Sequence, residues 1–185
     1  MIKVESDYNV FMPFFNTCYP RVIILYIEKR IIMKARINVV DFGEIILELN
    51  NDLAPITVKN FISLVEMKVY TNAVFHRIIE GFMVQAGEGI DANKIVGEFK
   101  DNGYVYNTIK HERGVISMAR TPDPNSASAQ FFIMHKTSPH LDGKYAAFGK
   151  IVEGIEVIDK IAISKRDVRD RPLNPIIIKN VELIK

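Results

Sequence analysis

At 185 residues, with 48% hydrophobic and 25% charged residues, the chain has the size and composition of one folded domain able to bury a core without disulfides or metals. Its 24 Lys and Arg against 22 Asp and Glu leave a net charge of +2, too small to steer the whole molecule onto nucleic acid or an acidic membrane. One cysteine, Cys18, excludes an intrachain disulfide and fits a reducing compartment, so a cytoplasmic location is expected.

Residues 1–32 mix aromatic side chains (Phe11, Phe14, Phe15, Tyr19) with two prolines and carry neither helical nor strand periodicity. Residues 1–33 therefore read as an N-terminal appendage to a domain over 34–185. The apolar run 22–27 falls far short of the roughly 20 residues that a membrane span needs. The acidic Glu5 and Asp7 before it, and Glu28, Lys29 and Arg30 after it, do not suit a signal peptide. A strand at 22–27 packed on the domain edge is the rival reading, and Met33 is a candidate translation start because it directly precedes the first patterned strand.

Residues 35–49 suit a hairpin turning at Asp41, Phe42 and Gly43. Pro55 opens a helix whose Val58, Phe61, Ile62 and Val65 form an i, i+3, i+4, i+7 stripe, although Ala54 is a poor cap for its start. Short β-rich runs follow at 74–79, 82–86, 115–119, 130–134, 147–152 and 176–184, with a second helix at 152–161. Many short strands with two separated helices predict a mainly β fold, a closed or nearly closed barrel. The stretches 120–129 and 138–145 read as irregular loops, the places on a rigid barrel where binding groups collect. Residues 165–171 alternate Lys165, Arg166, Arg169 and Arg171 with Asp167 and Asp170, which predicts a solvated loop whose field largely cancels.

Within 74–79, strict alternation would put Phe75, Arg77 and Ile79 on one face and His76 and Ile78 on the other. An Arg among apolar neighbours on its own face suggests a guanidinium fixed beside an apolar pocket. Taken singly, Arg77 reads as a surface cation, Phe82, Met83, Phe132 and Leu141 as core, and Gln85, Arg120 and Gln130 as solvated polar groups. The four histidines, His76, His111, His135 and His140, lack zinc-site spacing, so no metal is expected. Gly87-Glu88-Gly89 lacks the downstream Gly-Lys-Ser/Thr of a phosphate loop and reads as a turn.

Four segments in order change the weight of these residues: Phe75-His76-Arg77-Ile78-Ile79-Glu80-Gly81-Phe82-Met83-Val84-Gln85, Ser117-Met118-Ala119-Arg120, Gln130-Phe131-Phe132-Ile133, and His140 through Gly149. Together they resemble the cyclophilin family of prolyl cis/trans isomerases over roughly residues 34–185. The resemblance implies a closed eight-stranded antiparallel barrel capped by two α-helices, with a peptide groove on its outer face and no cofactor. It implies Arg77 as the catalytic residue, and Phe82, Met83, Gln85, Ala119, Arg120, Gln130, Phe132, His140, Leu141 and Tyr145 as the substrate-binding set. The implied partners are proline-containing peptides and unfolded or folding proteins, with cyclosporin as a weak ligand. His140 stands where many members have tryptophan, Tyr145 where many have histidine, Arg120 where many have asparagine, Glu80 where proline is frequent and Ala86 where glycine is frequent. A proline-peptide binding module without catalysis is the competing class. A barrel holding a lipophile has little support, because branched residues should fill so small an interior.

Overall fold

The opening hairpin joins β1 (Met33–Val39) to β2 (Gly43–Leu49), paired antiparallel from Met33 opposite Leu49 to Val39 opposite Gly43. In the computed structural model, residues 33–184 are described; the expectations for the N-terminal appendage and for a strand at 22–27 lie outside them. The chain continues through α1 (Pro55–Glu66), β3 (Phe75–Ile79), β4 (Met83–Ala86), β5 (Val115–Met118), β6 (Phe131–Met134), β7 (Ala147–Glu153), α2 (Ile155–Ala162) and β8 (Ile178–Ile184). The eight strands form one antiparallel sheet in the order β3-β4-β6-β5-β7-β2-β1-β8. Its two edges meet: Val74 bridges Ile177, Phe75 N–H donates to the Ile176 carbonyl at 3.0 Å, and Ile178 N–H to the Ala73 carbonyl at 2.7 Å. That contact curls the sheet into the expected barrel and satisfies edge groups that would otherwise be open for pairing.

One apolar cluster fills the inside, with β-strand residues such as Ile37, Leu47, Ile78, Ile116, Phe131 and Ile133 meeting Phe61 of α1 and Ile158 of α2. Its aromatic centre is Phe61 against Tyr70, Phe131 and Phe148, with ring centroids 5.3–6.0 Å apart. Burial pushes the Tyr70 phenol far above its usual range, and its hydroxyl donates to the Ala129 carbonyl at 2.9 Å.

The soft start expected for α1 has a remedy from outside the helix. Ala54 makes no side-chain cap, but the buried Glu98 carboxylate accepts the N–H groups of Ile56 at 2.9 Å and Thr57 at 2.7 Å. A carboxylate there answers both the orphan donors and the positive end of the helix dipole.

Two sequence expectations change. The second helix begins at Ile155, three residues later than expected, because β7 runs to Glu153 and Gly154 makes the corner. Gly154 has φ +82, and a Cβ there would collide with the Glu44 carbonyl oxygen, so glycine is required. The alternation assumed for 74–79 is broken by a bulge: Phe75 pairs with Ala86 and Arg77 with Gln85, leaving His76 as the extra residue. Phe75 therefore turns into the core beside Ile78 rather than sharing a face with Arg77.

Candidate active site

The bulge puts Arg77 on the outside of the barrel. Arg77 stands opposite Gln85 of β4, Gln85 opposite Phe132 of β6, and Phe132 opposite Ser117 of β5. Directly opposed residues share a face, so the four form a row across the strands, with Arg77 and Phe132 backbones roughly 10 Å apart. Beside this row lies a second apolar cluster, separate from the core, in which Met83, Phe132, Met134 and Leu141 are buried. Phe82, Ala119 and Tyr145 pack against it while remaining partly open to solvent.

Local structure places each of these groups. Gly81, at φ +76, turns the chain between β3 and β4, and the Phe82 carbonyl then accepts His135 N–H at 2.9 Å and Lys136 N–H at 3.2 Å. The Phe82 ring stacks on His140, 5.7 Å between centroids, where a short 3-10 turn over Pro139–Leu141 also delivers Leu141. Tyr145 meets Phe132 edge-on at 5.7 Å. Gln85 Nε2 donates to Gln130 Oε1 at 2.9 Å, which orients both amides at one side of the seat. Arg120 is held over the Tyr145 ring at 4.7 Å and the Phe99 ring at 5.1 Å, and its terminal nitrogens donate to the Thr121 and Lys144 carbonyls at 2.9 Å. Its fork is thus committed to the protein, and it offers a fixed positive charge at the rim.

All eleven residues expected at the site fall on or around this outer patch. Three polar groups behind it were not singled out. His111 is buried, stacked 6.0 Å from Phe132; its Nδ1 lies 3.2 Å from Asp142 Oδ1 and its Nε2 3.1 Å from Ser117 Oγ. Burial pushes the imidazole below its ordinary value, against the opposing pull of Asp142. A neutral ring that donates a hydrogen bond from Nδ1–H to the carboxylate has Nε2 free to accept one from the Ser117 hydroxyl. For Asp142, partial burial acts upward, but the His111 backbone N–H at 2.8 Å, the imidazole and Lys110 together hold the carboxyl below its usual range. The alternation of β5 was the one available signal, since it puts Ser117 on the face of Val115 and Ala119. Nothing in the irregular stretch before β5 marked His111.

Arg77 itself is 46% exposed, and its ionic contact runs from Nε to Asp170 Oδ2 at 3.7 Å. Two clefts of about 340 and 360 Å³ lie elsewhere, one along Ile109, Val115 and Lys150, the other along Phe42, Pro175 and Ile176; neither includes Arg77, Gln85 or Phe132. With Arg77 exposed and Phe82 and Tyr145 partly exposed, the chemistry-bearing residues line a seat that solvent reaches.

Residues 34–183 match the family described as cyclophilin type peptidyl-prolyl cis-trans isomerase/CLD. A human protein named peptidyl-prolyl cis-trans isomerase-like 3 is 39% identical over 150 residues, covering 77% of this chain and 91% of that protein. The Cryptococcus neoformans peptidyl-prolyl cis-trans isomerase-like 2 is 42% identical over 152 residues, but the match spans only 26% of its length. A Cryptosporidium parvum cyclophilin crystal structure superposes with a TM-score of 0.75 at 30% identity, covering 83% of this chain and 98% of that one. The same protein was also crystallised in the presence of the dipeptide Ala-Pro.

Proposed function

The chain belongs to the cyclophilin-type peptidyl-prolyl cis-trans isomerase family, and from that premise we propose that it accelerates rotation about X-Pro bonds in peptides and in unfolded or folding proteins. The observation that carries this reading is the row of Arg77, Gln85 and Phe132 set in register beside an apolar seat. Resonance gives the X-Pro amide a barrier of about 18–20 kcal/mol, so uncatalysed turnover takes tens to hundreds of seconds. Midway through rotation the resonance is lost and the prolyl nitrogen regains a localised lone pair. A prolyl ring seated against Phe82, Met83, Phe132 and Leu141 would leave that nitrogen facing the polar end of the row, where the Arg77 guanidinium donates a hydrogen bond. Gln85 and Gln130, already bonded to each other, are the groups that hold the peptide backbone, with Ala119 and the rim residues Arg120, His140 and Tyr145 setting what flanks the proline.

The magnitudes are consistent. A thousandfold acceleration needs about 4 kcal/mol. One charge-assisted hydrogen bond supplies roughly 1.5–3 kcal/mol, and the remainder falls to the preorganised, partly dry seat. No nucleophile, general base or cofactor enters the step. The dipeptide used with the Cryptosporidium relative supports proline peptides as the ligand class. Cyclosporin is proposed to bind weakly, because the His140 imidazole presents less surface than the indole many members carry. The single cysteine supports the cytoplasm as the proposed location.

The test is magnetisation-exchange NMR on a short Ala-Pro peptide. Isomerisation should quicken in proportion to added protein. Binding without any acceleration would overturn the isomerase reading in favour of a proline-peptide binding module.

A further inference from the structure

Residues 164–173 sit between α2 and β8 and carry the alternating charges that the sequence marked as a solvated loop. They form a tightly bonded hairpin. Arg166 bridges Pro172, Leu173 N–H donates to the Lys165 carbonyl at 2.8 Å, and Asp167 N–H to the Arg171 carbonyl at 2.8 Å. At the tip, Asp167 Oδ1 accepts the N–H groups of Arg169 at 2.8 Å and Arg171 at 2.9 Å. The Arg171 guanidinium then grips both Glu88 oxygens at 2.9 Å, fastening the hairpin to the turn after β4.

This hairpin is also fixed to the strand that carries Arg77. Ile78 N–H donates to the Asp170 carbonyl at 2.8 Å, so Asp170 is held in register one residue from Arg77. Asp170 adopts φ +63, a conformation that Asp and Asn tolerate better than most residues. Its carboxylate lies between two cations, 3.7 Å from Arg77 Nε and 3.5 Å from Arg166 Nε. Among the described residues it is the one carboxylate within ion-pair distance of Arg77.

We propose that Asp170 is a positioning residue for Arg77, presented by the hairpin so that the guanidinium is anchored through Nε and turns its two terminal nitrogens toward the seat. The proposal rests on the isomerase reading of that row. A free Arg side chain spreads over many rotamers, so an ion pair that biases it toward the seat before substrate arrives lowers the barrier rather than tightening peptide binding. An ion pair this exposed contributes little to stability, which separates its role from that of a structural bridge.

Asp170→Asn in the full chain keeps the shape and the tolerance of positive φ while removing the charge. In a folded variant, kcat should fall about three- to tenfold with KM changed less than about twofold. In an Arg77→Ala background the same substitution should change nothing. Nitrogen-15 NMR gives a readout independent of activity: the Arg77 Nε–Hε signal, assigned by its loss in Arg77→Ala, should shift and exchange faster with water in Asp170→Asn. An unmoved Nε–Hε signal, or equal losses of kcat in both backgrounds, overturns the proposal. A wild-type chain without isomerase activity would overturn the functional reading instead, and the Nε–Hε signal alone would then decide whether Asp170 anchors Arg77.

Discussion

Phe131 and Phe132 are neighbours on β6 and point in opposite directions. Phe131 enters the interior cluster, 5.5 Å from the Tyr70 ring and 6.0 Å from Phe61, and is wholly buried. Phe132 faces out, backed by His111 and edged by Tyr145, and it forms part of a cluster that solvent reaches through Phe82 and Tyr145. The same residue type thus serves two ends one residue apart. Inside, an aromatic ring is surrounded by apolar partners and contributes to stability; outside, it is surrounded by placed polar groups and an open edge, and in the proposed function it contributes a surface for a ligand. What distinguishes a seat from a core here is the company of Arg77, Gln85 and Gln130 rather than hydrophobicity.

The sharpest way to break that distinction is to truncate each ring. Phe131→Ala should cost roughly 3–5 kcal/mol in urea unfolding, since it leaves a cavity among rings that cannot collapse. The molecules that remain folded should isomerise at the wild-type rate. Phe132→Ala should show the reverse balance, losing at least about tenfold in kcat/KM, equivalent to about 1.4 kcal/mol, with a smaller loss of stability than Phe131→Ala. If the two variants lose stability and activity in the same proportion, the two clusters are one core and the distinction fails.

Acid should act next, and at the seam between the two faces. His111 and His76 are both held below the ordinary histidine value by burial. Between the ordinary value near 6.5 and the depressed folded values the unfolded chain binds more protons, so stability should fall as pH drops below about 6.5. Protonated His111 also loses its acceptor for Ser117, behind Phe132, but the folded ring takes the proton only as pH falls through its depressed value, so kcat/KM should decline at lower pH than stability begins to. Unfolding midpoints that stay level from pH 7.5 to 5, or rates that fall before stability does, would contradict this assignment.

The smallest effect is expected at the rim. His140→Trp should tighten cyclosporin binding, measured by titration, while barely changing isomerisation, because the larger ring extends the seat without touching the reacting amide. Unchanged affinity would shift attention to the committed guanidinium of Arg120.

Much of this layout was legible in the sequence because it is local. The hairpin, the stripe of α1, the short strands and the four ordered motifs depend on neighbouring residues, and every expected site residue lies on or around the outer patch. The misses are non-local. A bulge at His76 has no residue-type signature, yet it decides that Phe75 goes in while Arg77 goes out. The corner at Gly154 exists because of the Glu44 carbonyl, far away in sequence. Glu98 caps a helix more than 40 residues earlier, and Asp170 reaches Arg77 from the other end of the chain. Such pairings arise only when the barrel closes.

The central claim is that Arg77 acts on the twisted amide rather than on the resting peptide. Its most direct test pairs two measurements on Arg77→Ala, checked as folded by circular dichroism and thermal unfolding: kcat/KM for an Ala-Pro test peptide, and the affinity for the same peptide. The account predicts a loss in kcat/KM of at least tenfold to a hundredfold, about 1.4–2.7 kcal/mol, with a clearly smaller loss of affinity and only partial recovery in Arg77→Lys, which lacks the planar fork. Wild-type rates in the folded variant, or equal losses in affinity and kcat/KM, would contradict it.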